Sequence, residues 1–137
     1  MTDLLQAHAV ADAERYLALA RGVLDIEADA VRALKARLGE SFLRAHRLML
    51  ETKGRVVVTG MGKSGHIARK IASTMASTGT PAYFVHAADA SHGDLGMITR
   101  DDVFIALSNS GESSELIAIV PLLKRWGAKL IALTGNA

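Results

Sequence analysis

Val103-Phe104-Ile105-Ala106-Leu107-Ser108-Asn109-Ser110-Gly111-Glu112-Ser113-Ser114-Glu115-Leu116-Ile117-Ala118-Ile119-Val120 changes character twice along its length. It opens with a short apolar run rich in β-branched and aromatic residues, the composition of a buried strand. It closes with apolar residues at a spacing that fits a helix. The Ser108–Glu115 segment between them is a hydroxyl-rich turn leading into the helix. Such a turn sets free backbone N–H groups and small hydroxyls at the positive end of the helix, an arrangement suited to a phosphate dianion. Ser and Asn also dominate helix N-caps, so a well-capped helix start is the competing reading. One cap uses one such residue, and this turn holds five.

Outward from that stretch, the same rhythm repeats. Arg55-Val56-Val57-Val58-Thr59 is an unbroken run of the kind expected in a central parallel strand. Gly60-Met61-Gly62-Lys63-Ser64-Gly65 follows it. A helix carrying Ile67, Ile71 and Met75 at four-residue spacing then runs to about Ser77, stopped by Gly79-Thr80-Pro81. Ala82-Tyr83-Phe84-Val85-His86 is a second strand, and Ala87 to Arg100 a longer polar, irregular stretch. A helix over Ser113–Trp126 contains Pro121, where a kink is expected, and Gly127-Ala128 ends it. Lys129-Leu130-Ile131-Ala132-Leu133 is a fourth strand. Trp126 and Met75 read as core residues.

Strands alternating with helices across short turns imply βαβ units, a parallel sheet and right-handed crossovers. The expected fold is α/β: a three-layer α/β/α sandwich with a flavodoxin-like strand order 2-1-3-4, preceded by N-terminal helices. In that order the topological switch lies between the first and third strands, and ligands bind there, outside the carboxyl ends. The Gly60–Gly65 and Ser108–Glu115 turns should therefore face one crevice. A parallel strand followed by Thr134-Gly135-Asn136 and no helix would leave apolar surface uncovered, so a fifth strand is expected but missing and the chain reads as a fragment.

Gly60 to Gly65 matches G-x-G-x-x-G after a strand and before a helix. A dinucleotide site would also want an acidic residue about 20 positions further on. Val85 and His86 stand there instead, and Lys63 inside the glycine turn is unusual against a pyrophosphate. A P-loop is rejected, because its leading glycine would fall at Val57. Lys63 is either a solvated charge or, at a switch point, an electrophile or phosphate partner. Glu112 and Glu115 fall in the first helical turn, where carboxylates complement the dipole and stay ionised. His86, Asp89, His92 and Asp94 form a loose cluster whose spacing matches no defensible metal-ligand motif, so no metal is expected. His92 reads as a polar or proton-handling contact lining the crevice. His8, His46 and His66 carry no such signal.

The first part of the chain has no proline and is helical. From about Ala9 to Leu38 it is rich in Ala, Leu, Arg and Glu, with Leu17, Leu24, Val31 and Leu38 at heptad spacing and Leu19, Val23, Ile26 and Leu34 widening the stripe. Gly22 is a weak point, Gly39 has the position of a C′ residue, and a second helix runs from about Glu40 to Thr52. So broad an apolar face needs covering, in part by the domain itself and in part by another subunit, so oligomerisation is expected. The 137 residues, half of them hydrophobic, carry a formal net charge of +2 with no basic stripe, which argues against nucleic acid. Cysteine is absent, which removes disulfide and thiolate chemistry and is compatible with the cytoplasm. Neither a signal peptide nor a membrane-spanning run is indicated. The expected division is an N-terminal helical segment, 1–53, and an α/β core, 54–137.

Gly-Met-Gly-Lys-Ser-Gly-His after the first strand, paired with Ser-Asn-Ser-Gly-Glu-Ser-Ser-Glu after the third, resembles a sugar isomerase (SIS) domain. The 60–70 stretch, with Ser77-Thr78-Gly79-Thr80-Pro81, His92-Gly93-Asp94-Leu95-Gly96-Met97 and the serine turn, is closer still to the bacterial D-arabinose 5-phosphate isomerase family. The resemblance extends from about Ala11 to Gly135. It implies reversible conversion of D-ribulose 5-phosphate to D-arabinose 5-phosphate, supplying Kdo for lipopolysaccharide, in a cytoplasmic homotetramer that needs no cofactor. A sugar-phosphate-binding regulatory module without catalysis is the alternative. Position by position, Lys63 and Glu115 match active-site residues of the family. Ser64, Ser108, Asn109, Ser110 and Ser113 match its phosphate-loop positions, Gly62 and Gly111 accompany them in the two turns, and His92 matches a site-lining histidine. The family also uses a glutamate and a histidine further along, the histidine for proton transfer, together with a last strand, further helices and paired CBS domains. None of these falls within the 137 residues.

Overall fold

The computed structural model of the chain describes residues 2–91 and 94–136. Its contacts separate two units, Met1–Phe42 and Leu43–Ala137.

In the first unit, helix α1 spans Thr2–Ala33, uninterrupted at Gly22, and gives way to a 3-10 turn over Leu34–Arg37. The α-helix therefore ends short of the expected Leu38. Gly39 does not act as a left-handed C′ residue; among the described residues the positive-φ glycines are Gly62, Gly79, Gly111 and Gly127. The chain leaves the helix instead through an extended Leu38, at φ −77° and ψ 104°, whose N–H donates to the Lys35 carbonyl. Leu17, Leu24, Val31 and Leu38 are all exposed. Helix α2, Glu40–Glu51, continues into the second unit.

The second unit is built on strands β1 (Val56–Gly60), β2 (Ala82–Phe84), β3 (Val103–Ser108) and β4 (Lys129–Thr134), all parallel, in the order β2-β1-β3-β4. β-Branched residues fill β1 because it is buried on both faces, which only a central strand of a parallel sheet requires. Alternate residues then feed two cores. Val56, Val58, Val103, Ile105 and Leu107 pack with Ala68 and Ala72 of helix α3 (Gly62–Ser77), flanked by Leu48 and Met49 of α2. On the other face Val57 and Phe104 meet Leu116, Ile119 and Leu123 of helix α5 (Ser114–Trp126) and Ala87 and Ala90 of the short helix α4 (Ala87–Ser91). The result is the three-layer α/β/α sandwich. Phe104, Ile119 and Leu123 are fully enclosed, each stabilising the fold by about 2 kcal/mol.

Several details depart from the sequence reading. The buried face of α3 is Gly65, Ala68 and Ala72, with Ile71 and Met75 only flanking it. Ile67 is 57% exposed, because small residues let the helix lie close to the sheet and Ile67 falls off that narrow line. Trp126 is not core: as the last residue of α5, with no further turn beside it, it is 38% exposed. The 87–100 stretch contains α4 and a 3-10 turn at Asp94–Met97 rather than wholly irregular chain. Helix α5 runs through Pro121. Proline removes the bond to the Ile117 carbonyl, and both residues lie on the exposed side, where water can take its place. Gly127, at φ +76°, closes α5 with its N–H on the Lys124 carbonyl and the next N–H on that of Leu123.

Where the chain enters β1 and β3, Asp102 is buried and joins the two strands. It accepts the Arg55 and Thr99 N–H groups, each at 2.7 Å, and the Thr99 hydroxyl at 3.1 Å.

Candidate active site

Strand β1 delivers the chain to the carboxyl edge of the sheet at Gly60, and α3 begins almost at once. Glycine is required at both ends of that connection by backbone packing. A β-carbon on Gly60 would lie 2.9 Å from the Ser64 carbonyl oxygen, and one on Gly65 only 2.8 Å from that of Gly60. Gly62, at φ +51°, occupies the left-handed region that side chains avoid. The G-x-G-x-x-G pattern is thus accounted for by a tight strand-to-helix turn. Lys63 and Ser64 stand in the first turn of α3, Lys63 exposed and Ser64 half-buried.

Strand β3 reaches the same edge one position along the sheet, with Gly60 paired to Leu107. The turn that follows is held by its own serines. Ser108 Oγ accepts the Gly111 N–H at 3.1 Å, and Ser110 Oγ accepts the Glu112 N–H at 3.2 Å. Gly111 makes the reversal at φ +73°. Ser113 occupies the N-cap position of α5, yet its hydroxyl makes no capping bond; it shares a hydrogen bond with Ser108 Oγ at 3.1 Å. Ser113 therefore does not cap α5, and the Glu115 N–H is taken by that residue's own carboxylate.

Glu115 lies in the first turn of α5, whereas Glu112 precedes the helix. The Glu115 backbone N–H, then the Ser114 hydroxyl at 3.1 Å, and more weakly the charge of His86, hold its carboxyl below the usual glutamate range against a small opposing effect of burial. It is accordingly an ionised carboxylate at neutral pH, able to orient a hydroxyl or accept a proton from oxygen but a weak base toward carbon.

The two turns open on the same edge. Ser64 and Ile67 of α3 line an open crevice of about 330 Å³ together with Ser108, Asn109, Thr134 and Gly135. Gly62 lines a second hollow of about 130 Å³ on the β2 side, with His66, Arg69 and His86. Ser110, Gly111 and Ser113 belong to the serine turn itself, and Lys63 and Glu115 stand on the first turns of helices covering opposite faces of the sheet. His92 lies outside the described residues. Among the described residues no three His, Asp or Glu side chains gather where they could hold a cation. Sequence reasoning missed Ile67, Thr134 and Gly135 as walls of the crevice. The clue available was Thr134-Gly135-Asn136, small turn formers placed after a strand that ends next to β3.

The SIS domain model matches residues 49–137. Arabinose 5-phosphate isomerase KdsD of Pseudomonas aeruginosa is 57% identical over 121 residues, which make up 88% of this chain and 37% of that protein. KdsD of Escherichia coli K12 is 56% identical over 114 residues, 83% of this chain and 35% of that one. A solved Escherichia coli CFT073 protein in complex with arabinose 5-phosphate superposes with a TM-score of 0.73 at 48% identity, over 77% of this chain and 56% of its own. The chain thus spans little more than a third of the length of these curated relatives.

Proposed function

The chain belongs to the SIS-domain family, and from that premise we propose that the protein interconverts D-ribulose 5-phosphate and D-arabinose 5-phosphate. The observation that carries this reading is the convergence of Ser64 with Ser108 and Asn109 on one crevice, at the positive ends of two helices. The phosphate sits against the Ser108–Ser113 turn with Ser64 opposite. Held there, the non-reacting end fixes the register of the sugar, and its binding energy orients the carbon to be deprotonated.

The reaction moves one proton between C1 and C2. A base takes the C2 proton of the open-chain aldose while the carbonyl oxygen at C1 gains a proton, giving an enediol. Loss of the O2 proton with return of a proton to C1 then yields the ketose. Lys63 stabilises negative charge as it develops on the two oxygens. Glu115, ionised, assists ring opening or orients a substrate hydroxyl. The carbon base is assigned to the histidine that the family carries, with a glutamate, beyond the positions spanned here, and His92 lines the site. No metal has a role in these steps.

Further parts of the reading follow the family. The aldose supplies Kdo for lipopolysaccharide, the enzyme is cytoplasmic, and the exposed Leu17, Leu24, Val31 and Leu38 are covered in a homotetramer. The organisation is an N-terminal helical segment over 1–53 followed by the α/β core from 54 onward. No helix among the described residues is long and apolar enough to cross a membrane.

The test is incubation of the full-length protein with D-ribulose 5-phosphate in D₂O. Deuterium at C2 of newly formed arabinose 5-phosphate is expected. Binding of the sugar phosphate with no exchange would replace the enzyme with a non-catalytic sugar-phosphate sensor.

A further inference from the structure

Ser108 pairs with Thr134 in the parallel register, so the turns after β3 and β4 leave the sheet side by side. The second of these turns is closed on itself. The Thr134 hydroxyl donates to the Asn136 carbonyl at 3.0 Å, and the Asn136 N–H donates back to that hydroxyl oxygen at 3.1 Å. In this conformation its remaining donors point at the serine turn: Gly135 N–H to the Asn109 carbonyl at 3.1 Å, and Asn136 Nδ2 to the Ser110 carbonyl at 3.4 Å. The backbones are also in close approach. A β-carbon on Gly111 would lie 3.2 Å from Thr134 Oγ1, and one on Gly135 would lie 3.0 Å from Asn109 Oδ1.

Two carbonyls caught from the β4 side have a consequence for two N–H groups. A peptide unit is planar and trans, so its N–H points opposite to its C=O. The Asn109 carbonyl shares its peptide with the Ser110 N–H, and the Ser110 carbonyl shares its own with the Gly111 N–H. With both carbonyls drawn toward β4, both N–H groups face away from it. The Gly111 N–H accordingly meets Ser108 Oγ, within the hydroxyl cluster that includes Ser113. The same tethers occupy two carbonyl oxygens that would otherwise repel an anion.

We infer that the Thr134–Asn136 turn is a positioning element for the phosphate loop, fixing the peptide planes of Asn109 and Ser110 so that the Ser110 N–H addresses the bound anion while the Gly111 N–H holds Ser108 Oγ in place. The inference rests on the phosphate-binding reading above. Thr134 is the residue on which it turns, since its hydroxyl closes the element that carries both donors.

Its test is titration calorimetry with inorganic phosphate and with arabinose 5-phosphate, on full-length protein and its Ser108→Ala, Thr134→Val, Thr134→Ser and Asn136→Ala variants, each with its thermal midpoint. Thr134→Val preserves shape and deletes the hydroxyl, and should weaken both ligands about tenfold, as expected for a misaligned bond to a charged group. KM should rise more than kcat falls. Thr134→Ser keeps the hydroxyl and should bind within about twofold of the parent. Asn136→Ala loses one tether and should lie between them, and it carries the test if Thr134→Val does not fold. Parent-like binding by Thr134→Val and Asn136→Ala, with Ser108→Ala impaired, overturns the inference and leaves the phosphate reading standing. Failure of the parent protein to bind either ligand, or parent-like binding by Ser108→Ala, removes the reading itself.

Discussion

Replacing Asp102 should cost the protein stability in a manner that depends on pH. Its carboxylate is 1% exposed and accepts three hydrogen bonds that tie the entries of β1 and β3 together, with the Arg55 guanidinium 3.8 Å away. Asp102→Ala leaves the Arg55 and Thr99 N–H groups without their acceptor. These donors lie near the surface, so each orphaned group belongs at the low end of the usual penalty, about 1 kcal/mol. With the loss of charge assistance, the total is about 2–3 kcal/mol, or roughly 10 °C in Tm for a chain of this size. Burial by itself raises the Asp102 pKa, but the Arg55 and Thr99 N–H groups, the Thr99 hydroxyl and the Arg55 charge together outweigh it and hold the carboxyl below 3.8. Between the folded and unfolded pKa values the native state binds fewer protons, so stability rises with pH there. The contribution is complete above the unfolded value and is lost as pH falls through the folded one. Urea unfolding at pH 7 and near pH 3 should show the gap between parent and Asp102→Ala narrowing in acid. Asp102→Asn, which keeps one acceptor oxygen but sets an amide donor among donors, should cost about 1–2 kcal/mol at pH 7. An equal gap at both pH values, or no loss at pH 7, would refute the assignment of this carboxylate as the link between the two strands.

The other predictions concern the site. Ser113→Ala should weaken phosphate-ester binding while changing unfolding free energy by less than about 0.5 kcal/mol; a loss of about 1 kcal/mol in stability with unchanged affinity would restore the capping role. Lys63→Ala should lower turnover about a hundredfold or more with a smaller change in KM, and a change confined to affinity would reassign Lys63 to the phosphate. Gly65→Ala drives a methyl group into the Gly60 carbonyl and should destabilise the protein by roughly 2 kcal/mol, measured by chemical denaturation. Tolerance of that substitution would mean that the turn after β1 can open without loss.

The sheet was legible because its strands obey a rule that acts locally. A strand buried on both faces is apolar nearly throughout, as in Val56-Val57-Val58 and Val103-Phe104-Ile105, with Thr59 the buried polar exception in β1. The flavodoxin-like strand order expected for such units is the one observed, and in it Gly60 stands beside Leu107. The helix faces were less legible. Ile67 and Ala68 are neighbours in the chain, but the sheet accepts the smaller side chain because Gly65, Ala68 and Ala72 permit close approach, and hydrophobicity alone ranks them the other way. Asp102 was silent for a different reason: its partners are backbone N–H groups, which every residue except proline possesses, so no side-chain pattern announces them.

The serine turn shows where the boundary lies between what a pattern can disclose and what only register can. Its surplus of hydroxyls was visible, and capping and phosphate binding both remained compatible with it. The direction of one bond tells against capping by Ser113, whose Oγ meets Ser108 Oγ instead of a helix N–H. That direction depends on a turn bent back by Gly111 and braced from Thr134 and Gly135, far later in the chain. The bracing exists because Ser108 and Thr134 are paired at the ends of adjacent parallel strands. A shift of β4 by one residue would present the turn formers on the wrong side and leave the Asn109 and Ser110 carbonyls without these donors. The conformation of the serine turn is therefore a property of the β3–β4 register as much as of the serines.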